Sequence, residues 1–184
     1  GDAAAGLSRF SEAPEDDYLA RRFARPTARI RVGRALAGVA NSAIDVSDGL
    51  AGDLCKILEA SGAGAELDLQ RLPLSPELLA AVGREQAVQH AMRGGDDYEL
   101  LFTISQDDYD KVKGNPNFTV IGHMTEKEEG VHLIARAGEK THVALGSFCE
   151  HPGGEAENQD QRHLEHGERP LHAAAGAAAR RARR

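Results

Sequence analysis

The run Ser42-Ala43-Ile44-Asp45-Val46-Ser47-Asp48-Gly49-Leu50 constrains the fold more than any other stretch of this chain. Residues 42–46 form a short apolar segment carrying a carboxylate near its end, which reads as a strand. Beyond the turn, Leu50, Leu54, Ile57 and Leu58 fall at i, i+4, i+7 and i+8, one face of a helix. Ser47 or Asp48 is the expected N-cap, and Gly62 and Gly64 are expected to end the helix. A strand leading through an acidic turn into an amphipathic helix belongs to an α/β protein.

The neighbouring segments follow suit. Residues 3–40 read as helical, with a break at Pro26 and a fresh start capped by Thr27. Residues 65–70 alternate apolar and polar side chains, as a half-buried strand does. Ser75-Pro76 opens a helix that runs to Met92 with a break near Gly83. Residues 98–104 predict a strand, Ser105 caps a short helix, and residues 118–121 form a further strand. Residues 131–135 and 141–145 predict a hairpin. The expected fold class is α/β (α+β), a mixed β-sheet of roughly five or six strands with flanking helices. Three regions are expected: a helical lead-in over 1–40, a domain core over 41–149 and a disordered tail over 150–184.

Composition narrows the function. With 4% aromatic residues and no Trp, aliphatic side chains must fill the core. A net charge of −7 argues against a nucleic-acid surface, and the arginines in 180–184 read as a solvated tail. No run of about 18 apolar residues is present, so no membrane span is expected. Cys55 and Cys149 are too few for a disulfide framework and are expected to be free thiols in a reducing compartment. With no signal peptide in view, the expected location is cytoplasmic. A start at Gly1 rather than Met, and an abrupt change of composition near residue 150, suggest an incomplete chain.

Two constellations carry the chemistry. In the first, Asp45 sits at a strand end and Asp48 at a helix start, so both can face one point. Ligands of open α/β sheets bind at strand carboxyl ends. Hard oxygen donors of this kind suit Mg²⁺, which takes one or two carboxylates and leaves room for water and phosphate. Ser47 and the first helical amides could hold a phosphate oxygen. Helix capping explains Ser47 equally well and Asp48 moderately, so the two readings stand level here. In the second, Gly94-Gly95-Asp96-Asp97-Tyr98-Glu99-Leu100 crowds Asp96, Asp97 and Glu99 before a strand. An ordinary glycine turn accounts for much of it. Glu99, inside a strand-like run, asks for a cationic partner. Asp53 is expected to be solvated, and Arg93 is the basic residue nearest either motif in sequence. No Walker loop, GxGxxG or HExxH is present.

Taken together, the segment from Ser42 through LPLSP, followed by GGDDYELLFT, resembles the C-terminal domain of thiamine-monophosphate kinase. GDAAAGL resembles that family's inter-domain segment, and RPTARIRVGRAL the helix before the first motif. The family belongs to the aminoimidazole ribonucleotide synthetase-related superfamily. The resemblance implies transfer of the ATP γ-phosphoryl to thiamine monophosphate with Mg²⁺, and a homodimeric full-length form. It implies that Asp45 and Asp48 ligate Mg²⁺, that Ser47 contacts ATP, and that Glu99, with Tyr98 and Asp97, meets the substrate. The family's aromatic-rich C-terminal element is replaced here by Gly-Ser-Phe, leaving Phe148 as the candidate aromatic. The family's N-terminal domain, which supplies further metal ligands and most ATP contacts, is absent from this sequence. A non-catalytic binding fragment and an aminoimidazole ribonucleotide synthetase-like enzyme are the alternatives.

Overall fold

The structure, a computed structural model, describes residues 1–10, 17–113, 117–135, 140–143, 149 and 171–176. Helices α1 (Asp2–Arg9), α2 (Tyr18–Ala24) and α3 (Ile30–Leu36) lead into β1 (Ala40–Asp45), α4 (Leu50–Ser61), β2 (Ala63–Asp68) and α5 (Pro76–Arg93). Then come β3 (Leu100–Ser105), α6 (Gln106–Val112), β4 (Thr119–Val120), β5 (Gly122–Glu126), β6 (Val131–Ile134), β7 (Lys140–Val143) and β8 (Leu171–Gly176). The mixed α/β class holds, with the strands divided between two sheets ordered β1-β3-β8-β4 and β5-β2-β6-β7. The first is antiparallel throughout. The second is mixed, because β2 pairs parallel with β6 and antiparallel with β5.

Local signals placed most boundaries. Gly62 ends α4 in the left-handed conformation at φ 61°. The Ser75 hydroxyl accepts from the Leu78 amide ahead of Pro76, and that of Ser105 accepts from the Asp108 amide. Gly83, at φ 72° and ψ 168°, breaks α5 as expected. The expected hairpin is β6–β7, in register from Val131↔Val143 to Ile134↔Lys140. Thr27 does not cap α3, which starts three residues later behind Arg29.

The main core packs the inner face of α4, through Leu54 and Leu58, against Leu67 of β2, Leu101 of β3, Ile121 and Val131. A second cluster gathers Leu36, Phe102 and Ile104, with Phe118 edge-on to Phe102 at 5.3 Å between ring centroids. Aliphatic side chains carry the core, as the low aromatic content requires.

Two larger expectations also fail. Cys55 and Cys149 are not free thiols; they form a disulfide with Cα atoms 5.7 Å apart. Cys55 lies on the buried side of α4, and a partner 94 positions away gives no local sign of itself. The region 150–184 is also not without structure, for Leu171–Gly176 forms β8 between β3 and β4. The Ala-rich run lacks an amphipathic stripe. An inserted strand needs only backbone donors and acceptors on both sides, which any non-proline run supplies. The other residues of 150–184 lie outside the described ones. No helix among the described residues is long and apolar enough to cross a membrane.

Candidate active site

The two acidic motifs meet because β1 and β3 are antiparallel neighbours. Asp45, the last residue of β1, pairs with Leu100, the first of β3. The pairing then continues into the loops. The Val46 amide donates to the Glu99 carbonyl (2.8 Å), the Tyr98 amide to the Val46 carbonyl (2.9 Å), and the Asp96 amide to the Ser47 carbonyl (3.0 Å). Glycine makes this approach possible. A Cβ on Gly95 would lie 2.3 Å from the Ser47 carbonyl oxygen, and one on Gly49 would lie 2.8 Å from the Arg93 backbone.

Asp45 and Asp48 are exposed, and Ser47 is partly so. The turn between them is not held by a helix cap at Ser47 or Asp48. Gly49 is the N-cap, with φ 99° and no side-chain bond. Asp53, fully buried, reaches back from the first turn of α4 instead. One carboxylate oxygen accepts from the amides of both Ser47 (2.8 Å) and Asp48 (3.0 Å). The other oxygen accepts from the Lys56 ammonium at 2.8 Å. Asp53 is therefore not a solvated surface acid. Its position could have been read from spacing, since it lies three residues after Leu50 and four before Ile57, on the apolar stripe. Lys56 also reaches the Asp48 carboxylate at 2.6 Å, and these two carboxylates hold its ammonium well above the ordinary lysine value. Lys56, not Arg93, is the basic group at this motif.

Replacing Asp53 with alanine should strand those two amides and destabilise the chain by about 2–4 kcal/mol. At roughly 2–4 °C per kcal/mol for a chain of this size, thermal denaturation should show a fall of about 5–15 °C. Asn, which keeps one acceptor oxygen, should cost less. An unchanged melting temperature for Asp53→Ala would refute the turn-holding role.

Across the junction, the GGDDYEL loop is strained and heavily bonded. Asp96 (φ 64°) and Tyr98 (φ 50°) both occupy the left-handed region, which non-glycine residues seldom enter. The Tyr98 hydroxyl donates to Asp96 at 3.1 Å, which raises the phenol's pKa; the charges of Asp45 and Asp48 add to that rise. Asp97 is buried, and its carboxylate accepts from the Ala3 amide (3.0 Å) and the Gly1 nitrogen, tying the loop to the start of α1.

Glu99 lies between two arginines. Arg22 Nη2 donates to Oε1 at 2.9 Å and Arg29 Nε to Oε2 at 2.7 Å, while Arg29 Nη2 also reaches Oε1. The pairing with Glu99 raises the pKa of Arg29. Arg22 further donates to the Asp97 carbonyl at 3.1 Å. Sequence reasoning missed both arginines, which stand 77 and 70 residues from Glu99 with no local signal. Phe148 lies outside the described residues.

Among the described residues, no group of three or more His, Cys, Asp or Glu side chains forms a metal cage. The donor chemistry still suits a hard cation that keeps its waters: two exposed carboxylates and a hydroxyl, with an ammonium already resting on one carboxylate.

A family profile described as AIR synthase related protein, C-terminal domain, matches residues 2–135. The chain belongs to this family. Within it, this member is similar to thiamine-monophosphate kinases. It is 45% identical over 150 residues to that of Escherichia coli, covering 76% of this chain and 46% of the relative. The thiamine-monophosphate kinase structure from Stenotrophomonas maltophilia superposes with a TM-score of 0.65 at 37% identity, over 76% of this chain and 48% of that one. A ThiL structure complexed with AMPPCP and TMP does so with a TM-score of 0.63 at 34% identity, over 78% and 46%. This AIR synthase-related chain thus spans about half the length of the relatives it matches.

Proposed function

We propose that the chain supplies one wall of a thiamine-monophosphate kinase, in which the ATP γ-phosphoryl passes to thiamine monophosphate to give thiamine diphosphate. The observation that carries this is the stitching of the DVSDGL turn to the GGDDYEL loop through three backbone bonds. Groups suited to a metal–nucleotide and groups suited to an organic substrate are thereby neighbours at one end of the β1–β3 pair. The relatives named as thiamine-monophosphate kinases, and the relative complexed with AMPPCP and TMP, support the reading.

In this reading Asp45 and Asp48 hold Mg²⁺, and the Ser47 hydroxyl contacts an ATP phosphate oxygen. Bound Mg²⁺ would neutralise charge on the transferring phosphoryl group. The attacking atom is an oxygen of the substrate's own phosphate, largely ionised near neutral pH because its second pKa is about 6. No protein base or nucleophile is required, so this wall works by holding and orienting. Glu99 takes the substrate's organic part, with Tyr98 beside it. A carboxylate offers about four acceptor positions, and the arginines use three of those on Glu99. The free one suits an N–H donor of the aminopyrimidine better than a bare charge contact with the thiazolium, because two guanidinium groups already outweigh the carboxylate. Asp97 acts through the loop it anchors. A homodimeric full-length form belongs to the same reading, and so does a cytoplasmic location, which rests on the likeness to these kinases and no longer on free thiols, since Cys55 and Cys149 are bonded to each other.

The test is steady-state kinetics of Glu99→Gln in the assembled enzyme. KM for thiamine monophosphate should rise tenfold or more, about 1.4 kcal/mol of binding, with KM for ATP nearly unchanged. A variant with both constants at their original values would remove Glu99 from the substrate site.

A further inference from the structure

Lys56 is a cation placed on the carboxylate that the proposed function assigns to a metal. Its ammonium contacts one buried carboxylate, Asp53, and one half-exposed carboxylate, Asp48. Asp53 is fully buried and committed to the Ser47 and Asp48 amides, so it cannot follow the lysine. Asp48 and Lys56 each leave 49% of their side chains exposed, so their mutual contact can open without disturbing the core. A lysine stem has four carbons and rotates freely, which suits it to exchange one oxygen partner for another.

We infer that Lys56 is the resident counter-ion of the DVSDGL turn, which competes with a divalent cation for Asp48 and remains tethered to Asp53 when displaced. This rests on the metal reading of Asp48. While the metal is away, the ammonium limits repulsion between Asp48 and Asp53 and keeps the turn set. When the metal arrives, it takes over that charge compensation. Lys56 then stands next to the metal's ligands with its charge available to a phosphate oxygen. A lysine here therefore lowers affinity for the free cation.

The experiment is titration of this chain with Mn²⁺ alone, followed by electron paramagnetic resonance, comparing wild type, Lys56→Met, Lys56→Arg and Asp48→Asn. Lys56→Met should bind Mn²⁺ about three- to tenfold more tightly, the range set by removing one charge near an exposed site. The gain should shrink as salt rises from low ionic strength to about 0.5 M, because the interaction is screened. Lys56→Arg, which keeps the charge, should stay close to wild type. Thermal denaturation of Lys56→Met checks that the fold is retained. Equal or weaker Mn²⁺ binding by a folded Lys56→Met overturns the inference. If Asp48→Asn binds as wild type does, the metal reading falls and takes the inference with it. If Asp48→Asn loses binding and Lys56→Met does not gain it, only the inference falls.

Discussion

Asp48→Asn in the assembled enzyme should reduce thiamine diphosphate formation by two orders of magnitude or more and leave the fold intact. The two consequences of the change differ greatly in size. Structurally, the substitution weakens the exposed ion pair with Lys56, and such pairs contribute about 0–1 kcal/mol. The turn itself hangs on Asp53 and the Asp48 backbone amide, which asparagine retains. Functionally, it removes half the anionic charge of the Asp45–Asp48 pair proposed to hold Mg²⁺. A hundredfold loss corresponds to about 2.7 kcal/mol of transition-state stabilisation, which a ligand to a catalytic metal readily supplies. The measurement is turnover at saturating ATP and limiting Mg²⁺, beside a melting curve. Near-normal turnover would remove Asp48 from the metal site. A collapsed melting curve would mean that the turn depends on more than Asp53.

The 184-residue chain on its own should form no thiamine diphosphate at an enzyme-like rate, and mixing it with a separately expressed N-terminal half should restore turnover. At the DVSDGL turn, the carboxylates of Asp48 and Asp53 share one ammonium, that of Lys56, and the exposed Asp45 adds a further negative charge. Arg22 and Arg29 are both committed to Glu99. A triphosphate brought to this wall meets carboxylates, a hydroxyl and a single lysine, too few cations to clamp it. In-line transfer needs the β- and γ-phosphates clamped by metal and cations on both sides. Those groups must come from elsewhere, which agrees with a chain spanning about half the length of its relatives. Purified polypeptide, cleared of host kinase, is assayed for product with and without the added half. Turnover by the single chain would show that this wall suffices.

Where neighbours in sequence are neighbours in space, the sequence alone settled most outcomes, although the caps expected at Thr27 and at Ser47 or Asp48 did not form. Helical spacing places Leu50, Leu54, Ile57 and Leu58 on one buried face, and the Ser75 and Ser105 caps satisfy amides three residues away. Gly62 and Gly83 adopt positive φ that other residues resist. The two acidic motifs stood out as motifs for the same reason. Even Asp53 was within reach, because its spacing puts it on the apolar stripe, where a charge must find partners.

Only the tertiary structure decided which distant groups meet. The antiparallel β1–β3 pair brings Asp45, Ser47 and Asp48 beside Tyr98 and Glu99. The tertiary structure also sets Glu99 between Arg22 and Arg29, binds Cys55 to Cys149, and slots Leu171–Gly176 between β3 and β4. Each of these depends on chain closure over tens of residues, and many side chains of the same type could have made the same bond. Periodicity and capping act within one or two turns and carry no information about such partners. Burial of the common core selects among them, by fixing which strand edges lie side by side.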